Sequence, residues 1–260
     1  MALIVMAVYS TEENKKDSCL EKTLMSLSKT VDFTRHRLIL SINAVTKDTP
    51  SIIYKFSNII AQVIRNGANI GTAEAINKGF HLRNKGENCI KMDDDVVIHS
   101  SGWIEVMEDA IRREPKIGII GLKRKDCIEN VNHSDEYFRS SLLQLPQVAG
   151  ERWINVEKVH HVMGTCQMYS SALLDTIGYL YQPKQYGWDD VLASSRSKAS
   201  GFINVFLPNV EIDHIDEGKT PYQVWKERHA GLDIGTITKL MDGYSNGTIS
   251  TYYNPFSNTK

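Results

Sequence analysis

Four short apolar runs alternate with segments of helical periodicity over the first 92 residues, and this alternation restricts the fold most. Strands that alternate with helices predict a parallel sheet with right-handed crossovers. The expected fold class is therefore α/β, with a Rossmann-like, mostly parallel central sheet flanked by helices. The predicted strands are Ala2–Tyr9, Arg37–Ile42, Gln62–Arg65 and Asn88–Met92, and the helical segments between them are Leu20–Leu27, Ile52–Ile60 and Thr72–Arg83.

The second half of the chain is more mixed. Its predicted helices are Trp103–Arg113, Ala172–Ile177 and Asp189–Ala199, and its clearest strands are Ile117–Leu122 and Phe202–Leu207. Residues 123–147 have weak periodicity and suggest a surface excursion, while residues 159–169 are strand-like but interrupted by a glycine. We expect one catalytic domain over residues 1–242, with halves at 1–98 and 99–242. Residues 243–260 are expected to form a polar tail or a lid.

Charge and cysteine content exclude several classes of protein. The 260 residues carry a formal net charge of −1, which does not favour a polyanionic partner such as nucleic acid. The four cysteines, Cys19, Cys89, Cys127 and Cys166, have no C-x-x-C spacing, so reduced thiols in the cytoplasm fit better than zinc or disulfides. Because no apolar run reaches about 18 residues, no integral membrane segment is expected.

Three consecutive aspartates, Asp93, Asp94 and Asp95, follow the fourth predicted strand directly. Open α/β sheets bind ligands at the carboxyl ends of their strands. Carboxylates this close repel one another, and a bound divalent cation offsets the repulsion. Oxygen ligands suit Mg²⁺ or Mn²⁺, which also bind diphosphate oxygens. A solvated acidic turn, or a cap for the helix near Trp103, would account for the same residues without a metal.

Two carboxylates begin a later helix. Asp189 and Asp190 open the predicted helix Asp189–Ala199, where one can cap the helix while the other projects into a cleft. The helix N-terminus keeps a carboxylate ionised, as a general base at neutral pH requires. Plain helix capping is the structural alternative.

Two further features are weaker by themselves. Asn69–Ala73 is a glycine-containing loop before a helix, and such loops are usually structural. His214 follows the predicted strand Phe202–Leu207, and neutral imidazole is a competent ligand for Mn²⁺. His160, His161 and His229 are less favoured candidates for the same role.

In their order and spacing, these segments resemble the family-2 glycosyltransferases of the GT-A fold, over roughly Leu3 to His229. Ile4–Tyr9 looks like the first nucleotide-binding strand of that family, and Met92–Val96 resembles its D-x-D element. The family's N-x-G-x-A-x-A-x-N-x-G loop and helix is similar to residues 69–79. The stretch from Trp188 through Arg196 to Gly201 resembles E-D-x-x-L-x-x-R-x-x-x-x-G, which carries the catalytic base.

The resemblance implies inverting transfer of a sugar from a nucleotide diphospho-sugar, most often a UDP-sugar, to an acceptor hydroxyl in glycan or polysaccharide synthesis. It implies that Asp190 is the general base, with Asp189 as the alternative, and that Asp95 and His214 hold Mn²⁺ or Mg²⁺. Acceptor binding is assigned to Gly164, Thr165 and Trp188. Donor binding is assigned to Val8, Tyr9, Ser10, Asn43, Asn69, Gly71, Asn77, Asp93, Asp94 and Lys226.

Three positions depart from the family pattern. Asn43 stands where many members have an aspartate that contacts the base, which weakens the expectation of UDP. Asp189 replaces the glutamate of the E-D pair and is one methylene shorter. The leucine of that motif is displaced by one position, to Leu192.

Two other functions share part of this pattern. Nucleotidyl transfer would share the nucleotide site and the metal carboxylates, but residues 10–17 lack a glycine-rich, arginine-bearing loop. A non-catalytic module that binds nucleotide-sugar would not need Asp190. The acceptor remains open: a carbohydrate is expected, and a nucleic acid, suggested only by the basic run 123–125, is less favoured. Tyr222, Trp225 and Lys226 either close over the donor or pack on the core.

Overall fold

A computed structural model describes residues 1–125, 141–148, 150–215 and 234–257. Its first half is the predicted alternation of strands and helices. Strands β3, β2, β1 and β4 lie side by side in that order and are all parallel. The elements are β1 (Ala2–Tyr9), α1 (Asp17–Thr30), β2 (Arg37–Ala44), α2 (Thr49–Lys55), β3 (Ile60–Arg65), α3 (Thr72–Phe80) and β4 (Asn88–Met92).

The second half adds strands in both directions to the same sheet. The ten strands follow the order β3-β2-β1-β4-β9-β6-β10-β8-β7, with β5 paired to β10. The elements are β5 (Val96–Ile98), α4 (Trp103–Arg113), β6 (Ile117–Arg124), β7 (Ser141–Gln144), β8 (Asn155–Val159), β9 (Cys166–Tyr169), α5 (Ser171–Ile177), α6 (Asp189–Ala199), β10 (Ile203–His214) and α7 (Ile234–Ser245).

Strand β9 runs antiparallel between β4 and β6, so that the sheet is mixed at its centre. Sequence patterning does not reveal this direction, because all four residues of β9 are buried and a strand covered on both faces looks alike in either orientation. The turn that precedes β9 is thereby placed beside the end of β4.

Strand β10 is longer than predicted. The expected strand ended at Leu207, but the extended backbone continues through Pro208 to His214. Its register against β6 shifts between Leu207 and Glu211, an irregularity at which a residue without an N–H is tolerated. Beyond the shift, His214 pairs with Val96 of β5, immediately after the aspartate run.

The sheet has a core on each face. Strand β1 divides its residues by alternation: Ile4 and Met6 pack in the core that α1 and α4 cover, while Leu3 and Val5 pack with α3, α5 and α6. None of the described helices is long and apolar enough to cross a membrane. Cys19, Cys89 and Cys166 are free thiols.

The C-terminal residues up to 257, predicted as a polar tail or a lid, contact the rest of the chain. Gly243 lies inside α7, where its Cα packs against Ile249. Arg196 of α6 donates hydrogen bonds to the carbonyls of Ile177, Tyr179 and Thr251. Apolar contacts add to these hydrogen bonds: Tyr244 packs in a cluster with Leu192 and Ile237, and the ring of Phe256 contacts that of Tyr179.

Candidate functional site

A cavity of about 580 Å³ lies at the carboxyl ends of β1, β2 and β4, and the N-terminus of α6 closes one side. This is the position at which open α/β sheets bind ligands. The predicted site residues that line it are Tyr9, Asn43, Asn69, Asp93, Asp94, Asp95, Gly164, Thr165, Asp189, Asp190 and His214.

Five of the predicted residues do not line this cavity. Val8 is fully buried in the core, and Ser10, also fully buried, donates its backbone N–H to Ala44. Trp188 packs against the apolar cluster between α6 and α7. The other two are Gly71 and Asn77. A further predicted residue, Lys226, lies outside the described residues.

Asn77 and Gly71 position a neighbouring segment. The amide of Asn77 bonds both backbone groups of Leu180, at 2.8 and 2.9 Å. Gly71 has a φ of +90°, and a Cβ there would lie 3.0 Å from the carbonyl oxygen of Gln185. A glycine permits both the backbone conformation and the close approach. These two residues of the loop-and-helix motif therefore hold residues 180–185 beside the part of the cavity wall that Asn69 and Thr72 form.

Asn43 is engaged by the same loop. Its Nδ2 donates to the carbonyl of Gly71 at 3.2 Å, and its Oδ1 accepts from Asn66 at 3.0 Å. The side chain thus lies at the cavity wall, but its amide is hydrogen-bonded to Gly71 and Asn66.

The aspartate run is divided between two tasks. Ligand atoms of Asp93, Asp95 and His214 all lie within 4.8 Å of one another, a spacing that one metal ion can bridge. Asp94 is different, because its Oδ2 accepts the backbone N–H of Tyr9 at 3.2 Å. Thr23 ties the same turn to α1 by donating to the carbonyl of Asp94 at 3.0 Å.

Lys16 contacts this cluster. Its Nζ lies 2.7 Å from Asp95 Oδ2, with the two side chains 6% and 8% exposed. The other carboxylate oxygen, Asp95 Oδ1, is 3.4 Å from His214 Nε2 and has no well-formed hydrogen bond to the described residues. A buried carboxylate oxygen without a donor is the group that a cation would satisfy.

The three aspartates differ in proton affinity. Burial raises the pKa of Asp93 to about 6, and burial together with the charge of Asp95 raises the pKa of Asp94 to about 8. Burial acts in the same direction on Asp95, but contact with His214 and Lys16 outweighs it, so the pKa of Asp95 lies below its usual range. Because burial and neighbouring negative charge raise the pKa of both Asp93 and Asp94, the protein alone disfavours full ionisation of this run, and a bound cation would stabilise the ionised forms.

The charges around the cavity suit a divalent cation. Among the described lining residues, the cationic side chains are Lys16, Lys91 and Arg124, against five carboxylates at 93, 94, 95, 189 and 190. If all five carboxylates are ionised, as a bound cation would favour, the formal excess is two negative charges, which one Mg²⁺ or Mn²⁺ would offset, and the oxygen and imidazole donors suit either ion.

Asp189 and Asp190 are adjacent but differently placed. Asp189 Oδ2 forms an ion pair with Lys91 Nζ at 2.5 Å, and its side chain is 7% exposed. Asp190 is 22% exposed at the cavity. Its Oδ2 accepts the N–H of Gly164 at 2.8 Å, and its Oδ1 accepts the N–H of Val191 at 2.8 Å. Asp190 is thus the more accessible of the two carboxylates.

His161 contributes to the state of Asp190. Its Nε2 lies 3.2 Å from Asp190 Oδ2. Burial alone raises the pKa of Asp190, but contact with His161 and the charge of Lys91 outweigh burial and bring the pKa below its usual range. Asp190 is therefore ionised at neutral pH, as a base must be before it accepts a proton.

Sequence reasoning missed three cationic residues of the cavity and one histidine contact. Lys91 stands inside a strand otherwise suited to burial, and a buried lysine without a partner would be costly, so this position was a signal. Burial lowers the pKa of Lys91, but the charges of Asp189, Asp93 and Asp190 outweigh burial and raise it. Lys16 and Arg124 gave no such signal, and His161 was considered only as a metal ligand.

Comparison with known proteins agrees with this geometry. The sequence model of "Glycosyl transferase family 2" matches residues 4–178. No curated protein matches the chain significantly. The mannosyltransferase PcManGT from Pyrobaculum calidifontis, in complex with GDP-Man and Mn²⁺, is a similar structure with a TM-score of 0.63 and 14% identity, over 96% of this chain and 70% of that one.

Two more solved structures share the fold. TarS 1–349 from S. aureus in complex with UDP has a TM-score of 0.60 and 18% identity, over 100% of this chain and 75% of that one. GalNAc-T7 with UDP, GalNAc and Mn²⁺ has a TM-score of 0.57 and 15% identity, over 82% and 43%. The predicted GT-A fold is confirmed. Because the family match spans most of the chain, the protein belongs to glycosyl transferase family 2.

Proposed function

We propose that this nucleotide-sugar glycosyltransferase transfers its sugar with inversion, from a UDP-sugar to an acceptor hydroxyl, with the aid of Mn²⁺ or Mg²⁺. One observation carries the proposal: the accessible carboxylate of Asp190 and the cluster of Asp93, Asp95 and His214 line the same cavity. A base for the acceptor and ligands for a diphosphate-bound cation are the two requirements of such a reaction.

The metal would be held by Asp95 and His214, as predicted from the sequence, with Asp93 as a third ligand. The orphaned oxygen of Asp95 and the raised pKa values of the neighbouring Asp93 and Asp94, which a cation would lower, support this assignment. A bound divalent cation supplies Lewis-acid stabilisation of the negative charge that develops on the leaving diphosphate. Lys16, 2.7 Å from Asp95, is placed to neutralise part of the same charge.

Asp190 would act as the general base. It accepts the proton of the acceptor hydroxyl while the acceptor oxygen bonds to the anomeric carbon. The bond from that carbon to the diphosphate oxygen breaks, and the nucleoside diphosphate leaves with the electron pair. Attack opposite the leaving group inverts the anomeric configuration. Asp189 is a poor alternative, because its carboxylate is paired with Lys91 and its side chain is only 7% exposed.

The donor nucleotide would lie against Tyr9, Asn43, Asn69 and Asp94 at the ends of β1 and β2. UDP is proposed as the nucleotide, and PcManGT, which was solved with GDP-Man, shows that the fold also takes other bases. The acceptor, a carbohydrate hydroxyl, would approach past Gly164 and Thr165. A cytoplasmic location and a catalytic unit over residues 1–242 remain predictions of the same proposal.

The test is turnover across a panel of UDP-, GDP- and dTDP-sugars, with and without Mn²⁺. Release of UDP, and not pyrophosphate, is the expected product, and the anomeric configuration of the transferred sugar should be inverted by NMR. Asp213→Asn should keep wild-type turnover in this assay, since this acid is 41% exposed and pairs with His99 outside the cavity. Turnover that needs no metal would contradict the metal assignment, and pyrophosphate release would indicate nucleotidyl transfer.

A further inference from the structure

Lys91 is a lysine in the centre of the sheet. It lies on β4, two residues before Asp93, and the residue is 3% exposed. Removal of an ammonium group from water is costly unless a close partner compensates for it. The partner is Asp189, at 2.5 Å, on the first turn of α6. This ion pair therefore joins the strand that ends in the metal cluster to the helix that carries the base.

The turn at Gly164 and Thr165 joins the same two elements. The N–H of Asp93 donates to the carbonyl of Thr165 at 3.0 Å, and the N–H of Gly164 donates to Asp190 Oδ2 at 2.8 Å. A Cβ on Gly164 would lie 2.7 Å from Lys91 Nζ and 3.2 Å from Asp190 Oδ2. The ammonium, the turn and the base are thus in direct contact.

We propose that Lys91 is a positioning residue, whose ion pair with Asp189 fixes the first turn of α6 and so sets Asp190 at its distance from the donor. This inference rests on the proposed function and extends it. In the proposed role Lys91 does not act on the acceptor or the diphosphate itself; it acts through Asp189 and Gly164. A displacement of the base by about 1 Å is enough to lower the rate about 100-fold.

The ion pair can be removed from either side. Lys91→Met deletes the ammonium and keeps the alkyl chain, and Asp189→Asn keeps the shape of the carboxylate while deleting its charge. The expected result for both is a fall in kcat of about 100-fold, with UDP binding in the presence of Mn²⁺ close to that of the wild type. The double variant should be no slower than the slower single variant, because both changes break one interaction.

A matched control separates positioning from general stabilisation. Arg113 has a side chain that is 1% exposed and pairs with Asp109 and Glu151, and none of these three residues lines the cavity. Arg113→Met should lower the thermal stability to a similar degree and leave kcat of the folded protein unchanged. If Lys91→Met fails to fold, Asp189→Asn tests the same pair.

A readout independent of turnover makes failure of this inference distinguishable from failure of the proposed function. The imidazole resonances of His161, 3.2 Å from Asp190, should shift in Lys91→Met and Asp189→Asn but not in Arg113→Met. Unchanged resonances together with wild-type kcat would overturn the positioning role. If the wild-type protein transfers no sugar but the two variants show the His161 shifts, the proposed function alone is contradicted.

Discussion

Lys16 Nζ lies 2.7 Å from Asp95 Oδ2, so an ammonium group already occupies one side of the carboxylate expected to hold the metal. The two elements involved are distant in sequence: Lys16 precedes α1, and Asp95 follows β4. A cation that binds Asp95 is repelled by Lys16, whereas a diphosphate is attracted by the cation and by Lys16. The contact therefore favours a metal that arrives with its nucleotide.

Replacement of Lys16 by Met should change metal and nucleotide binding in opposite directions. Mn²⁺ alone should bind about tenfold more tightly, because the competing positive charge is gone. UDP in the presence of Mn²⁺ should bind about tenfold more weakly, because a charge-assisted hydrogen bond to the diphosphate is lost. Calorimetric titration measures both. Lys15→Met, at the neighbouring exposed position, is the control, and equal shifts in one direction would disprove this role.

Asp190→Asn should reduce sugar transfer about 10²- to 10⁴-fold, the usual contribution of a general base. The amide keeps the shape of the side chain but cannot accept the acceptor proton. Binding of UDP and Mn²⁺ should stay near wild type, because Asp190 is not part of the cluster of Asp93, Asp95 and His214. Steady-state kinetics and calorimetry on one preparation test the two statements. Persistence of transfer would exclude Asp190 as the base.

Gly164→Ala should lower kcat without raising the KM for the donor. Gly164 does not have a positive φ, so alanine is compatible with its backbone, and the effect is steric. The added Cβ would meet Lys91 Nζ at 2.7 Å and Asp190 Oδ2 at 3.2 Å. We expect a loss of about tenfold or more, since the base must move. A parallel increase in KM would show instead that the donor half of the cavity had been disturbed.

Removal of the metal, or replacement of His214, should weaken donor binding strongly while the protein stays folded. His214→Ala deletes one of the three grouped ligands, and we expect Mn²⁺ affinity to fall about 10- to 100-fold. Excess chelator should stop turnover of the wild type, and added Mn²⁺ should restore it. His99→Ala, at an exposed histidine paired with Asp213, is the control. Equal Mn²⁺ affinity in His214→Ala and the wild type would remove His214 from the ligand set.

Arg196→Met should destabilise the fold by about 3 kcal/mol or more. The guanidinium, in a residue that is 1% exposed, donates to the carbonyls of Ile177, Tyr179 and Thr251, which would be left without this donor. Denaturant unfolding measures the loss. Lys198→Met, on the same helix but exposed, should change stability by no more than about 0.5 kcal/mol. A similar effect of both variants would mean that the C-terminal segment is not held by Arg196.

Local patterns in the sequence were enough to predict most of the elements. Strand β4 and helices α4 and α6 have the predicted bounds, because each is marked by its own periodicity and ends at a clear polar or glycine signal. The aspartate run and the acidic start of α6 could also be recognised as candidate site residues. Their order along the chain identified the family, which the family match confirms.

Tertiary structure alone decided how these residues are used. The direction of β9 places Thr165 beside Asp93, and the register shift in β10 places His214 beside Val96, and neither leaves a trace in local periodicity. Local sequence does not show which of two adjacent aspartates has a partner. In the structure Lys91 forms an ion pair with Asp189, and the backbone N–H of Tyr9 donates to Asp94. Periodicity records only which residues are buried, whereas partners distant in sequence determine which carboxylate remains available to a metal or an acceptor.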